Sequence, residues 1–361
     1  MYKGSNLEGC FVETVVIDCK DNSNISDKLM EAGKVLREGG LVIFPTETVY
    51  GLGANAFDQA AALGIFAAKH RPADNPLIVH IYKMDQLKDI VKEVNGTAKK
   101  AMDAFWPGPL TLIMEKSHNV PDAVTAGLNT VGVRMPKNDV ALALLKAAKI
   151  PIAAPSANVS GKPSPTRLEH VIYDMNGRVD MILDGGPCEV GLESTVLDTT
   201  TNPPTILRPG GVTLEMLKGV FGEVALDKGL IKKEDGDFKP RAPGMKYTHY
   251  SPDADVTVVQ GKTESVAEHI KERLRECSEK GIKAGVLATD ETRKFYEGSF
   301  TISVGSRENP ITIAEGLFDS LREFDKQGIQ VVFAEAVPDN GIGLAIMNRM
   351  NKAAGFKIEN V

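Results

Sequence analysis

Apolar positions along residues 1–226 fall into short blocks, and the spacing within each block predicts its element. Helical spacing runs over 25–38, closed by Gly39 and Gly40, and again over 59–70, 87–91, 97–105, 140–149 and 213–221. The continuous apolar runs 41–44, 77–81, 110–114, 131–135 and 151–154 are too short for helices and predict strands, as do 181–183, 194–198 and 205–207. Pro45 breaks the first of these strands, and Trp106-Pro107-Gly108-Pro109 ends the helix before it. Strands and helices do not alternate strictly, so this region predicts a mixed, twisted α/β sheet and not a simple doubly wound one.

The pattern changes at 227–252. Lys232, Lys233, Glu234, Asp235 and Asp237 crowd together, prolines recur and aliphatic residues thin out, which predicts a linker. Beyond it the order becomes regular. Strands over 255–259, 284–288, 301–304 and 331–334 alternate with helices over 264–280, 291–296, 311–326 and 343–354, the order of a small parallel-sheet, Rossmann-like domain. The expected division is a first domain over 1–226, a linker over 227–252 and a second domain over 253–361.

Composition narrows the function classes. The chain has 361 residues, 42% hydrophobic and 25% charged, enough for two packed cores. Its net charge of −6 gives no broad basic field for sequence-independent nucleic-acid binding, although a local basic patch remains compatible with it. Cys10, Cys19, Cys188 and Cys277 form no C-x-x-C pair, which predicts scattered free thiols and no zinc ribbon. The first residues lack the apolar core of a signal peptide, and no apolar run approaches the ~18 residues of a membrane span. A cytoplasmic protein is expected.

The candidate chemistry lies between the apolar blocks. No P-loop, H-E-x-x-H or G-x-S-x-G motif is present. Gly51-Leu52-Gly53-Ala54-Asn55-Ala56 mimics a dinucleotide fingerprint, but it neither follows a strand directly nor opens a helix. Thr46 and Thr48 can bind a ligand or cap a helix. Lys69 and Arg71 suit a polyphosphate or a helix C-terminus equally well. His80, inside an apolar strand, reads more simply as a core residue. Arg134, at the end of another, needs an anion, either a substrate carboxylate or an internal acid. Ser156, Asn158 and Ser164 can donate to phosphate oxygens or form turns. Ser194 and Arg208 complete a set of polar residues at strand ends. Together they predict a site for a multiply anionic ligand such as ATP plus a carboxylate.

Several runs resemble the YrdC-type threonylcarbamoyl-AMP synthases in their long, two-domain form. These are Phe44 to Gly53, the K-x-R and S-x-N pairs Lys69/Arg71 and Ser156/Asn158, Trp106 to Thr111, Ala242 to Pro252, and Ala345 to Ala354. The resemblance implies a YrdC-like catalytic domain that condenses L-threonine, bicarbonate and ATP into threonylcarbamoyl-AMP and pyrophosphate, for threonylcarbamoyladenosine in tRNA. It assigns Lys69, Arg71, Ser156 and Asn158 as the catalytic tetrad. It assigns Thr48, His80, Arg134, Ala154 and Ser194 to threonine. ATP falls to Arg71, Asn75, Thr130, Ser156, Ser164, Arg208 and Tyr247, with Mg²⁺ on the phosphates and no metal ligand among the protein side chains. Glu47 is a possible general base and reads better as structural. The linker, with Tyr247, His249 and Tyr250, is expected to act as a lid. The product would pass to a separate tRNA threonylcarbamoyl transferase, and any direct tRNA binding should be weak.

Two other readings compete. A double-stranded-RNA-binding translation factor would need a concave basic surface, yet acidic residues outnumber basic ones over 1–225. A hydrogenase-maturation carbamoyl-adenylate enzyme would carry an acylphosphatase-like region and cysteine-rich zinc motifs, and neither is visible here.

Overall fold

The computed structural model describes residues 12–20, 25–230, 240–242 and 250–361. Its first sheet is built from β1 (Val15–Asp18), β2 (Val42–Phe44), β3 (Gly51–Asn55), β4 (Ile78–His80), β5 (Leu110–Glu115), β6 (Thr130–Arg134), β7 (Ile152–Ala153), β8 (Met181–Asp184), β9 (Thr195–Asp198), β10 (Thr205–Arg208) and β11 (Ala225–Leu226). Their order across the sheet is β1-β8-β2-β3-β7-β4-β6-β5-β9-β10-β11. Pairing is mixed: β4 and β6 run parallel, as do β5 and β9, while β3, β7 and β4 alternate in direction, and β5 opposes β6. The sheet is therefore mixed, as the irregular order of apolar blocks predicted.

The second sheet contains β12 (Asp255–Gln260), β13 (Ala284–Ala288), β14 (Phe300–Ser303), β15 (Val331–Glu335) and β16 (Ile358–Asn360), in the order β14-β13-β15-β12-β16. Every pairing is parallel. The helices Thr263–Glu279, Pro310–Lys326 and Gly343–Ala353 provide the crossovers that parallel strands require. The expected helix over 291–296 is instead a single 3₁₀ turn, Arg293–Tyr296, because Thr289, Thr292 and Tyr296 turn inward to bond each other or Glu335.

β1, β3, β16 and the helix Leu168–Met175 were not anticipated. β3 was hidden by its glycines, which weaken strand propensity. Gly53 has a packing reason: a Cβ there would lie 2.8 Å from Ile152 Cγ2 and 2.9 Å from Phe44 Cε1. The close approach lets β3 pass between β2 and β7. Most of 227–252 lies outside the described residues. Within the described part, Lys228–Leu230 is a 3₁₀ turn and Arg241 bridges Asp198 and Asp227.

The two sheets share buried contacts. Arg322, in the helix Pro310–Lys326, bonds Asp174 through both terminal nitrogens, at 3.2 and 2.6 Å, and also Pro163 O. Val49 and Leu192, from loops of the first sheet, pack in the same apolar cluster as Phe318, Ile346 and Met350. Tyr250 stacks on Phe318 with ring centroids 5.2 Å apart.

Because Gly53 admits no side chain, Gly53→Ala should destabilise the protein by roughly 1–3 kcal/mol through overpacking. Urea denaturation checks this. An unchanged midpoint would show that Ile152 and Phe44 yield freely.

Candidate functional site

One cavity collects the polar loops of the first sheet. His80 ends β4 and Arg134 ends β6, and the parallel register sets these two residues side by side. Arg208 ends β10, beside the start of β9, where Ser194 stands. Ala154 follows β7 and its N–H donates to Ile78 O. Ser156 bridges back to Gly51 at the start of β3.

Local hydrogen bonding aims each side chain. After Pro45, Thr46 Oγ1 accepts from the Thr48 and Val49 N–H groups and donates to Val49 O, forming a tight hydroxyl-stabilised turn. This places Thr48 Oγ1 2.8 Å from Arg134 Nη1. Arg134 Nε donates to Gly108 O at 3.3 Å. Glu47 Oε2 lies 2.7 Å from Arg134 Nη2 as a contact between charges, without the angle of a hydrogen bond. The structural reading of Glu47 thus has a partner in view, since the carboxylate is buried against this guanidinium.

Lys69, at the end of the helix Gln59–Lys69, is buried and donates to Ser156 O and Asn158 O. Burial, then repulsion from Arg71, pushes its ammonium well below the ordinary lysine range. Ser156 Oγ donates to Asn158 Oδ1, and Asn158 Nδ2 donates to Val159 O and Lys162 O. Lys69, Ser156 and Asn158 therefore lock one loop against one helix end. Arg71 Nη2 reaches Asn75 O and Pro76 O, both at 3.1 Å, and its guanidinium lies 5.9 Å from the Phe66 ring centroid.

On the facing wall, Arg208 donates to Ser194 O at 3.1 Å and to Ser194 Oγ at 3.2 Å. Burial pushes its guanidinium below the ordinary range. Gly210 makes this wall thin, because a Cβ there would lie 2.4 Å from Thr195 N and 2.5 Å from Glu193 O. Glu193 accepts from Ser164 Oγ and pairs with Arg349 Nε at 2.9 Å. Burial alone would raise its carboxyl, but Arg349, Arg208 and Ser164 hold it at about 2.

Thr48, Lys69, Arg71, His80, Arg134, Ala154, Ser156, Asn158, Ser194 and Arg208 all line the cavity. Of the other expected residues that are described, Asn75, Thr130 and Ser164 do not line it. Thr130 sits at the opposite end of β6 from Arg134, about 13 Å away at roughly 3.3 Å per residue. Ser164 lies behind the wall, fully buried, because the Pro163–Pro165 segment folds inward onto Glu193 and Tyr50. Asn75 contributes its backbone carbonyl behind Arg71. Tyr247 and His249 fall outside the described residues. Glu193 and Tyr250 also line the cavity. Glu193 gave no clear signal in sequence, since its cationic partner stands 156 residues away.

Among the described residues, five basic side chains line the cavity, Lys69, Arg71, Arg134, Lys162 and Arg208, against one carboxylate, Glu193. Such a lining selects anions. It also suits two separate anionic groups, because Arg134 and the Lys69–Arg71 pair stand on different elements.

Residues 34–210 match the Sua5/YciO/YrdC family model, described as "Telomere recombination". Residues 212–355 match the model for the threonylcarbamoyl-AMP synthase C-terminal domain. The chain is 47% identical to the threonylcarbamoyl-AMP synthase of Bacillus subtilis over 344 residues, covering 95% of this chain and 97% of that one. It is 46% identical to the Pyrococcus abyssi protein of the same name, covering 96% and 100%. The crystal structure of P. abyssi Sua5 complexed with L-threonine superposes with a TM-score of 0.91 at 46% identity, over 96% of this chain and 100% of that one.

His80 offers a test of burial at the site. Desolvation, then repulsion from Arg134, lowers its imidazole to about 3, so it stays neutral in the folded protein. In the unfolded chain a histidine titrates near 6.5. Between these values only the unfolded chain holds the extra proton, so stability falls as pH falls. His80→Asn should remove about 1.4 kcal/mol per pH unit from that slope. Denaturation between about pH 6.5 and about 4.5 checks it. An unchanged slope would mean that the folded site accepts an imidazolium.

Proposed function

The chain belongs to the threonylcarbamoyl-AMP synthase family, and from that premise we propose that it joins L-threonine, bicarbonate and ATP into threonylcarbamoyl-AMP, with release of pyrophosphate. The observation that carries the reading is the cavity lining: among the described residues, five basic side chains face one carboxylate in a chain whose net charge is −6. Family membership across both sheets leaves no support for an RNA-binding module or a hydrogenase-maturation enzyme.

In this reading Arg134, with Thr48, receives the threonine carboxylate, and the backbone around Ala154 and the neutral His80 shape the floor beside it. The threonine amine takes up CO₂ from bicarbonate, losing water, to give a carbamate. A carbamate oxygen then attacks the α-phosphorus of ATP, and the bond to the β,γ-diphosphate breaks to release pyrophosphate. The reaction is a nucleotidyl transfer. Lys69 fixes the loop of Ser156 and Asn158, while Arg71 and Arg208 hold phosphate oxygens and stabilise the charge that builds on them. The lining carboxylate Glu193 is committed to Ser164 and Arg349, a donor set that does not fit a protein-held Mg²⁺. Mg²⁺ carried on the ATP phosphates would neutralise part of their charge. A separate tRNA threonylcarbamoyl transferase consumes the product.

Pyrophosphate release should require both threonine and bicarbonate. Equal ATP turnover with threonine omitted would sink the reading. Arg134→Ala should weaken threonine binding and Arg71→Ala should impair ATP use, each by roughly 2–5 kcal/mol for loss of a desolvated charge partner. Calorimetry with each ligand separates them. Normal threonine affinity in Arg134→Ala would remove that role from Arg134.

A further inference from the structure

The second domain reaches the cavity wall through one buried side chain. Arg349, in the helix Gly343–Ala353, is wholly buried. Its Nε donates to Glu193 Oε2 at 2.9 Å, and its Nη1 donates to Pro209 O and to Asn348 Oδ1, both at 3.0 Å. The guanidinium lies 5.5 Å from the Tyr250 ring centroid. Nη2 has no hydrogen-bond partner among the described residues. Arg349 does not itself line the cavity.

The two oxygens it grips belong to two different loops. Glu193 precedes Ser194 and β9, while Pro209 follows Arg208 and β10. Those loops carry Ser194 and Arg208, which bond each other across the thin wall at Gly210. Arg349 thus spans the back of the wall and ties its halves together. A fully buried guanidinium on a neighbouring domain is a costly tie unless both of its ends are fixed.

We propose that Arg349 is a positioning residue: through Glu193 and Pro209 it holds Ser194 and Arg208 in the geometry that receives substrate, so the second domain forms part of the catalytic apparatus. This rests on the nucleotidyl-transfer reading of the cavity. Lysine at 349 keeps the charge on Glu193 but cannot reach both oxygens with a planar fork.

The test compares the full-length wild type, Arg349→Lys, Glu193→Gln and the double variant. Amide hydrogen exchange is measured without substrate, and threonine- and bicarbonate-dependent pyrophosphate release with it. In Arg349→Lys, exchange should accelerate over 192–196 and 206–210 and stay unchanged in β4 and β6. The KM for ATP should rise, with kcat/KM falling tenfold or more. The double variant should lose no more than the worse single one, because both changes cut the same tie. Losses that multiply, or exchange that accelerates evenly through both sheets, would overturn the proposal and leave Arg349 a general stabilising residue. Should Arg349→Lys not fold, Glu193→Gln with Arg349→Gln is read against Glu193→Gln alone, with the same expectation and the same overturning result. The exchange arm needs no turnover. A wild type that releases no pyrophosphate would sink the functional reading alone, and localised exchange would still support the tie.

Discussion

Cations gathered into one cleft repel one another and lose hydration, and the fold solves this largely with neutral oxygens. Lys69 rests on two backbone carbonyls, Arg71 on two more, and Arg208 on the carbonyl and hydroxyl of Ser194. A carbonyl satisfies an N–H donor without cancelling its charge. The donors are therefore held in place while the positive potential remains for a ligand. Acidic partners are fewer: Glu47 stands against Arg134, Glu193 against Arg349, and Asp253 and Asp325 against Lys162. A direct acid for every base would have produced a rigid but neutral pocket.

This arrangement explains why two sheets are packed as one unit. The carbonyls that hold Lys69 and Arg71 come from loops, and loops keep a shape only when something covers them. Val49 and Leu192 bury their side chains in the apolar cluster of the second domain. Arg322 clasps Asp174 and the carbonyl of Pro163, at the root of the segment that turns Ser164 onto Glu193. Buried ion pairs of this kind add little to net stability relative to an apolar contact, but they are intolerant of misregistration. Here they fix which loop meets which helix.

Most of the framework was legible in sequence because apolar runs bounded by Gly and Pro mark strands and helices without reference to partners. The second domain was the clearest, its regular alternation matching an all-parallel sheet. β3 was not legible, since glycines that make room for Ile152 and Phe44 look like loop residues until those neighbours are known. The same limit applied to the site. Lys69, Arg71, Ser156 and Asn158 stand in short recognisable spacings, and all four line the cavity. Ser164 and Thr130 have suitable chemistry, and their places, buried behind Glu193 and at the far end of β6, depend on burial and register, which residue type does not reveal. Glu193 became meaningful only when the chain brought Arg349 to it.

The protonation states of the site constrain its chemistry further. His80 is neutral but lowered to about 3, which makes it a feeble base. Glu193, held at about 2, is feebler as a base than an ordinary carboxylate. Glu47 is buried against Arg134, and Lys69 has its hydrogens directed into two carbonyls. Each of these groups is clamped by a partner or by burial, and a clamped group moves a proton poorly. What these groups do well is hold still. For a reaction whose nucleophile is already an anionic carbamate oxygen and whose leaving group is already an anion, no proton need move at the phosphorus. Fixed positive charge and fixed distance are then the useful contributions, and the lining is built to supply them.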